Sequence, residues 1–181
     1  VGGFINAYTG REQTAYYARV LKNDVALAVD ILADILQDSV FDPEELAREQ
    51  GVVIQEIGQA EDTPDDIIFD HLQAQAFPDQ ALGRPILGTE AHVRSFTRDT
   101  LNAQIQGHYF APGMLLIAAG AVDHAQMVAL AEAHFTKLQR GRAPQHEPAT
   151  YAGGEFRTDG ELEQAHLALA VLMGKVEKHD E

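Results

Sequence analysis

Apolar residues recur along this chain in two rhythms. Aromatic and β-branched residues crowd Phe4 to Tyr8 and Gln13 to Leu21, with Thr9-Gly10-Arg11-Glu12 between them. Two such stretches around a turn signal predict a β-hairpin. Asn23 can cap a helix, and Val25, Val29, Leu32, Ile35 and Leu36 then share one helical face as far as about Gln37. Asp42-Pro43-Glu44-Glu45 is a second start signal: a capping side chain, a proline in the first turn and an acid at the third position. The helix it opens passes through Gly51 and Val52-Val53-Ile54, residues better suited to strands. That stretch shows no two-residue alternation, so helix is preferred. Pro64 should interrupt it, with Asp65 to Ala76 as its continuation or a second helix.

Further along, Leu82 to Gly88 reads as a loop, and Thr97 caps a helix to about Phe110. Pro112-Gly113 turns into Met114 to Ala121, a continuous apolar run expected to be a buried strand. Asp123 with Gln126 suggests a capping box, opening a helix to about Leu138. Gln139 to Gly154, rich in Pro, Gly, Arg and Ala, has the composition of a linker. Leu162 to Leu172 is expected to be a last strand, and Gly174 to Glu181 a charged tail. Strands mixed with helices, without regular βαβ alternation, imply an α+β sandwich.

Composition narrows the function. With 181 residues, 45% of them apolar, the chain can bury the core of about one ordinary domain. A formal charge of -15 argues against nucleic acid and anionic membranes as partners. Met114 to Val122 is too short to span a bilayer and is broken by Gly120, so no membrane insertion is expected. The absence of cysteine excludes disulfides, thiol catalysis and thiolate metal sites. The chain opens on Val1-Gly2-Gly3 rather than methionine, which suggests a piece of a longer protein whose targeting signals lie outside it.

The most pointed chemistry is a pair of acids. Glu49 and Glu56 are seven residues apart, so on a helix they are rotated by about 700° and fall within about 20° of each other. Val52, Val53, Ala60 and Leu46 flank them, which sets two carboxylates in an apolar stripe where each needs a cation or a donor. Their Cα atoms would be about 10.5 Å apart along the axis. Zinc–oxygen bonds are about 2 Å, so one acid can be a ligand while the other supports it. The ordinary alternative is the solvated margin of an amphipathic helix.

Elsewhere, Asp66 and Asp70 form an i, i+4 like-charge pair that a bound arginine or lysine would relieve, or that simply belongs to a solvated acidic face. Asn6-Ala7-Tyr8-Thr9 is either an ordinary hairpin strand or a sheet edge open to an extended peptide. The eight histidines include no i, i+4 pair and no His-x-x-Glu-His, and they read as surface residues.

Several segments together resemble the pitrilysin/insulinase family, and within it the processing peptidases. They are Asn6 to Glu12, Arg48-Glu49 with Val52 to Glu56, Asp66 to His71, Leu82 to Gly88 and Gly120 to His124, in order over roughly residues 2 to 172. The resemblance implies a two-layer fold with helices on one face of a mainly antiparallel sheet. It implies a zinc endopeptidase that binds its metal through an inverted His-x-x-Glu-His motif, whose glutamate is the general base. By position, Glu56 would be the third zinc ligand and Glu49 the supporting acid of the catalytic site. Asp66 and Asp70 would hold a substrate arginine, and Asn6, Ala7 and Tyr8 would be the edge on which substrate lies.

The family's histidine helix lies farther upstream than the fifty-five residues before Glu56 allow. The expectation is therefore a first domain over residues 1–140 without its first strand and catalytic helix. A linker over 141–153 and the opening of a second homologous domain over 154–181 would follow. Such a piece would be inactive and would lack the Zn2+ of its parent. A peptide substrate, a homo- or heterodimer with a homologous subunit, and a bacterial cytoplasmic or mitochondrial-matrix setting follow from the same likeness. The competing reading is a non-catalytic peptide-binding or structural subunit of the same fold.

Overall fold

The computed structural model describes residues 2–142, 148–159 and 164–171. In chain order its elements are β1 (Phe4–Thr9), β2 (Thr14–Arg19), α1 (Val25–Gln37), α2 (Pro43–Glu61), α3 (Pro64–Ala76), α4 (Glu90–Ser95), α5 (Arg98–His108) and α6 (His124–His134). A hairpin followed by a run of helices is an α+β arrangement. The chain divides into two compact units, one of Val1–Glu49 with Ser95–His146 and the other of Gln50–Arg94 with Glu147–Glu181.

In the first unit the hairpin forms as expected, antiparallel, in register from Phe4↔Arg19 to Thr9↔Thr14. The Gly10 N–H donates to the Gln13 carbonyl at 2.7 Å and closes the turn. The Phe4 and Tyr8 rings tilt against Tyr17 with centroids 6.0 and 6.3 Å away, the cross-strand aromatic pairing that stabilises a small sheet. Helix α1 buries Val29, Ala33 and Leu36 at i, i+4, i+7 spacing and packs on β2 and α6. It is preceded by a 3-10 turn, Lys22–Asp24, so Asp24 and not Asn23 stands at its start.

Polar contacts complete the α1–α6 packing. Gln37 Nε2 donates to the His134 carbonyl at 2.9 Å, while its Oε1 accepts the Lys137 N–H at 2.8 Å. Asp30 lies 3.1 Å from His134 Nδ1, and Asp38 lies 2.5 Å from Lys137 Nζ.

Tyr16 on β2 and Tyr109 at the end of α5 share a hydroxyl–hydroxyl hydrogen bond of 2.9 Å. Burial, with help from that hydroxyl, pushes the Tyr16 phenol above its ordinary value. The folded chain therefore keeps this proton after the unfolded chain has lost it. The contribution is intact below about pH 10 and falls away as the pH rises above that. Tyr16→Phe should cost about 1 kcal/mol at neutral pH and flatten the alkaline loss of stability, both read from urea midpoints.

The start signals act as the sequence suggests. Asp42 Oδ1 accepts the N–H groups of Glu44 at 2.9 Å and Glu45 at 3.2 Å. Thr97 and Thr100 form a reciprocal capping box at the head of α5. Asp123 Oδ1 accepts the Gln126 N–H at 3.0 Å, though α6 ends at His134, short of Leu138. Helix α2 ends at Glu61 and α3 begins at Pro64, which cannot donate to the preceding turn.

In the second unit, short helix α4 has no counterpart in the sequence reading. It buries Val93, whose carbonyl accepts from Gln50 Nε2 at 2.8 Å.

Two expected strands are corrected. Residues 114–121 pair with no described segment, and Leu115 and Ile117 are 89% and 83% exposed. Of the stretch Leu162 to Leu172, the described part, residues 164–171, is extended but unpaired, with Leu167 94% exposed. The physical reason is common to both. An apolar run becomes a buried strand only when a neighbour offers its backbone, and among the described residues β1 and β2 pair only with each other. The charged tail lies outside the described residues.

Candidate functional site

The acid pair sits where local chemistry makes a helix. Asp42 caps α2, Glu44 and Glu45 occupy its positive end, and both pair with Arg48. The helix then continues without a break past Gly51 and the β-branched run to Glu61. Glu49 and Glu56 therefore do share one face. Both are exposed, while Leu46, Val53, Ile54 and Ile57 are half-buried. Of the two readings, desolvation in an apolar stripe is corrected and the solvated margin holds: each carboxylate reaches water. Neither takes part in the ion pairs that engage Arg48.

Two acids about 10.5 Å apart along a helix cannot both bind one small ion. Among the described residues no group of three or more His, Cys, Asp or Glu is placed to hold a metal. The residues present thus do not fit a complete zinc site, and α2 can supply one carboxylate to such a site.

Asp66 is exposed and Asp70, one turn later, is half-buried on α3. The Thr63 carbonyl accepts the N–H groups of Asp66 and Ile67, both at 3.0 Å, which starts the helix, and acids in its first turn offset the positive end of the dipole. The helix dipole alone therefore explains why Asp65 and Asp66 stand there. It does not explain Asp70. On the same helix Asp65, Ile68, Phe69 and Leu72, with His166 to Leu169, line a cavity of about 260 Å³.

Asn6, Ala7 and Tyr8 lie in β1 opposite Tyr17, Tyr16 and Ala15, and all three are exposed. The Ala7 N–H donates to Asn6 Oδ1 at 2.8 Å. A peptide added along this strand would exchange that short local bond for a ladder bond. Of the described histidines, His92 Nδ1 is 3.0 Å from the Thr89 hydroxyl, and the His71 ring lies 4.4 Å from that of Phe156. Contacts that the sequence reading missed join Gln75 and Gln80 to residues 150–153, more than sixty positions downstream.

Comparison with known proteins decides the family. Residues 1–90 match the family model for insulinase (peptidase family M16), and residues 95–181 match the model described as the peptidase M16 inactive domain. The chain belongs to the M16 peptidase family. It is 44% identical over 169 residues to an uncharacterized zinc protease of Rickettsia felis, covering 93% of this chain and 41% of that one. It is 41% identical over 175 residues to the β subunit of the mitochondrial processing peptidase of Bos taurus, covering 94% and 36%. A putative M16-like peptidase from Alicyclobacillus acidocaldarius superposes with a TM-score of 0.68 at 27% identity, over 83% of this chain and 35% of that one. A chain of Complex III2 from Candida albicans shares the fold, with a TM-score of 0.73 at 21% identity, over 84% and 37%.

The chain thus spans about two fifths of the length of the curated relatives it matches. These relatives include bacterial zinc proteases and mitochondrial peptidase subunits. Among the described residues no helix of this M16 chain is long and apolar enough to cross a membrane.

Proposed function

We propose that this chain is part of a zinc-dependent endopeptidase that cleaves peptides or presequence-like segments. In that protein Glu56 is the carboxylate ligand of the metal and Glu49 is the acid that orients it. Asp66 and Asp70 receive a substrate arginine, and Asn6, Ala7 and Tyr8 accept the peptide as an added strand. The observation that carries the reading is the continuity of α2, which keeps Glu49 and Glu56 on one exposed face. Zinc, when bound, supplies Lewis acidity. This chain's own part is to present a carboxylate, an acidic patch and an open strand edge.

The 181 residues contain no His-x-x-Glu-His, so the chain by itself binds zinc weakly or not at all and does not cleave peptides. The layout proposed with it is the one read from the sequence: residues 1–140 a first domain, 141–153 a linker and 154–181 the start of a second. A homologous subunit is the natural partner, in the bacterial cytoplasm or the mitochondrial matrix.

The acidic patch gives a direct test in the longer protein. Two charge-assisted hydrogen bonds to a guanidinium contribute about 1.5–3 kcal/mol each. The double variant Asp66→Asn, Asp70→Asn should therefore weaken an arginine-containing peptide by on the order of a hundredfold or more. A peptide with norleucine in place of the arginine should bind both forms alike. Equal loss for the two peptides would show that the acids act on structure and not on the arginine.

A further inference from the structure

We propose that residues 148–156 are a strap clipped onto α3 and the turn that follows it by two glutamine side chains, Gln75 and Gln80, and that this strap keeps His166 to Leu169 beside α3. The Gln80 amide serves as a substitute peptide group: its Nε2 donates to the Thr150 carbonyl at 2.8 Å and its Oε1 accepts the Thr150 N–H at 2.7 Å. Gln75 Nε2 donates to the Gly153 carbonyl at 3.1 Å. Between these clips the Ala152 N–H donates to the Ala76 carbonyl at 2.9 Å, satisfying an acceptor that the end of a helix leaves open.

The contacts run in strict reverse order along α3 and the turn after it, so the strap runs antiparallel to that stretch. Thr150 meets Gln80, Tyr151 packs edge-on to Phe77 with centroids 6.0 Å apart, Ala152 meets Ala76, Gly153 meets Gln75 and Phe156 meets His71. The Tyr151 hydroxyl donates to the Ala170 carbonyl at 3.4 Å, which ties the strap to the following extended segment. That segment provides one wall of the cavity over Asp65, Ile68, Phe69 and Leu72.

Two glycines make the close passage possible. Gly153 and Gly154 have φ of +67° and +124°, and a Cβ on Gly154 would stand 2.1 Å from Gln75 Nε2. A segment whose composition suggests a loose linker is therefore a bolted member of the second unit. Its fastening depends on amide chemistry, because a side-chain amide can donate to the carbonyl and accept from the N–H of one residue. Unclipping it would release the wall of the cavity while leaving α3 itself helical.

Amide hydrogen exchange read by mass spectrometry on the 181-residue chain tests this. In the unaltered chain, peptides covering 148–156 should exchange at least ~10-fold more slowly than the unpaired run 114–119. The double variant Gln75→Ala, Gln80→Ala should raise exchange in 148–156 by at least ~10-fold, with α1 unchanged. Gln80→Glu, which keeps the acceptor and loses the donor, should fall between. Gly154→Ala, which attacks the clip from the strap side, should reproduce the double variant and decides the matter if loss of both glutamines also deprotects α1. Strap peptides that exchange as fast as 114–119 in the unaltered chain, or that ignore Gly154→Ala, would overturn the proposal.

Discussion

In the longer zinc peptidase proposed above, replacing Glu56 by glutamine should strip most of the metal and lower peptide turnover by on the order of a thousandfold. Glutamine has nearly the same shape but brings a neutral amide where a divalent ion needs a charged oxygen. Glu49→Gln should behave differently, although the two acids share a helix face and similar exposure. Loss of a group that only orients a ligand typically costs 10–100-fold, so most of the zinc should remain. Elemental analysis beside steady-state turnover separates the two roles. Full zinc content in the Glu56→Gln protein would remove the basis for assigning that residue to the metal. Equal zinc loss in both variants would mean that the helix, and not one carboxylate, had been disturbed.

The second large effect concerns stability. Gly83 is buried in the 3-10 turn Ala81–Gly83, which folds back on the end of α3. A Cβ there would lie 2.0 Å from the Phe77 carbonyl oxygen and 2.9 Å from its carbon. Those atoms are backbone at the C-cap of α3, so they cannot swing aside as a side chain would. Gly83→Ala should cost about 3 kcal/mol, at the upper end of ordinary overpacking. The urea midpoint of the chain should fall accordingly, and exchange in α3 should rise. Gly51→Ala is the matched control, because a Cβ at that helical position meets nothing within 4 Å. It should stabilise by up to ~1 kcal/mol through helix propensity. A Gly83→Ala chain as stable as the parent would show that the turn relaxes more freely than its contacts suggest.

Much of the fold was legible because the signals were local. Asp42, Thr97 and Asp123 bond to backbone groups two or three residues away, so their sequence context alone specifies the geometry. The hairpin was equally plain, with Gly10 at the point where the chain must turn. Met114 to Ala121 and the stretch around Leu167 failed for the opposite reason. Their apolar pattern is that of a strand, but a strand is a property of two segments, and no described neighbour pairs with either. Helix α4 escaped notice because six residues with no apolar position repeated at helical spacing carry no periodic signal, although Thr89 Oγ1 accepts the His92 N–H at 3.3 Å and caps it.

The candidate site divides in the same way. Helical spacing alone brought Glu49 and Glu56 to one face, and the structure keeps them there. Their exposure matches the solvated margin that spacing offered as the ordinary alternative, with Leu46, Val53 and Ile57 half-buried beside them. The roles given to both acids, and to Asp66 and Asp70, rest on family likeness rather than on spacing. Gln75 and Gln80 gave no warning at all: an amide that pairs with a peptide group seventy positions away has no local signature.

Diffraction at the zinc absorption edge from the proposed longer protein bears most directly on this reading. An anomalous peak should lie about 2.0–2.2 Å from a Glu56 carboxylate oxygen, with Glu49 nearby but outside bonding distance. A zinc peak coordinated without Glu56, its side chain left in bulk water, would contradict it.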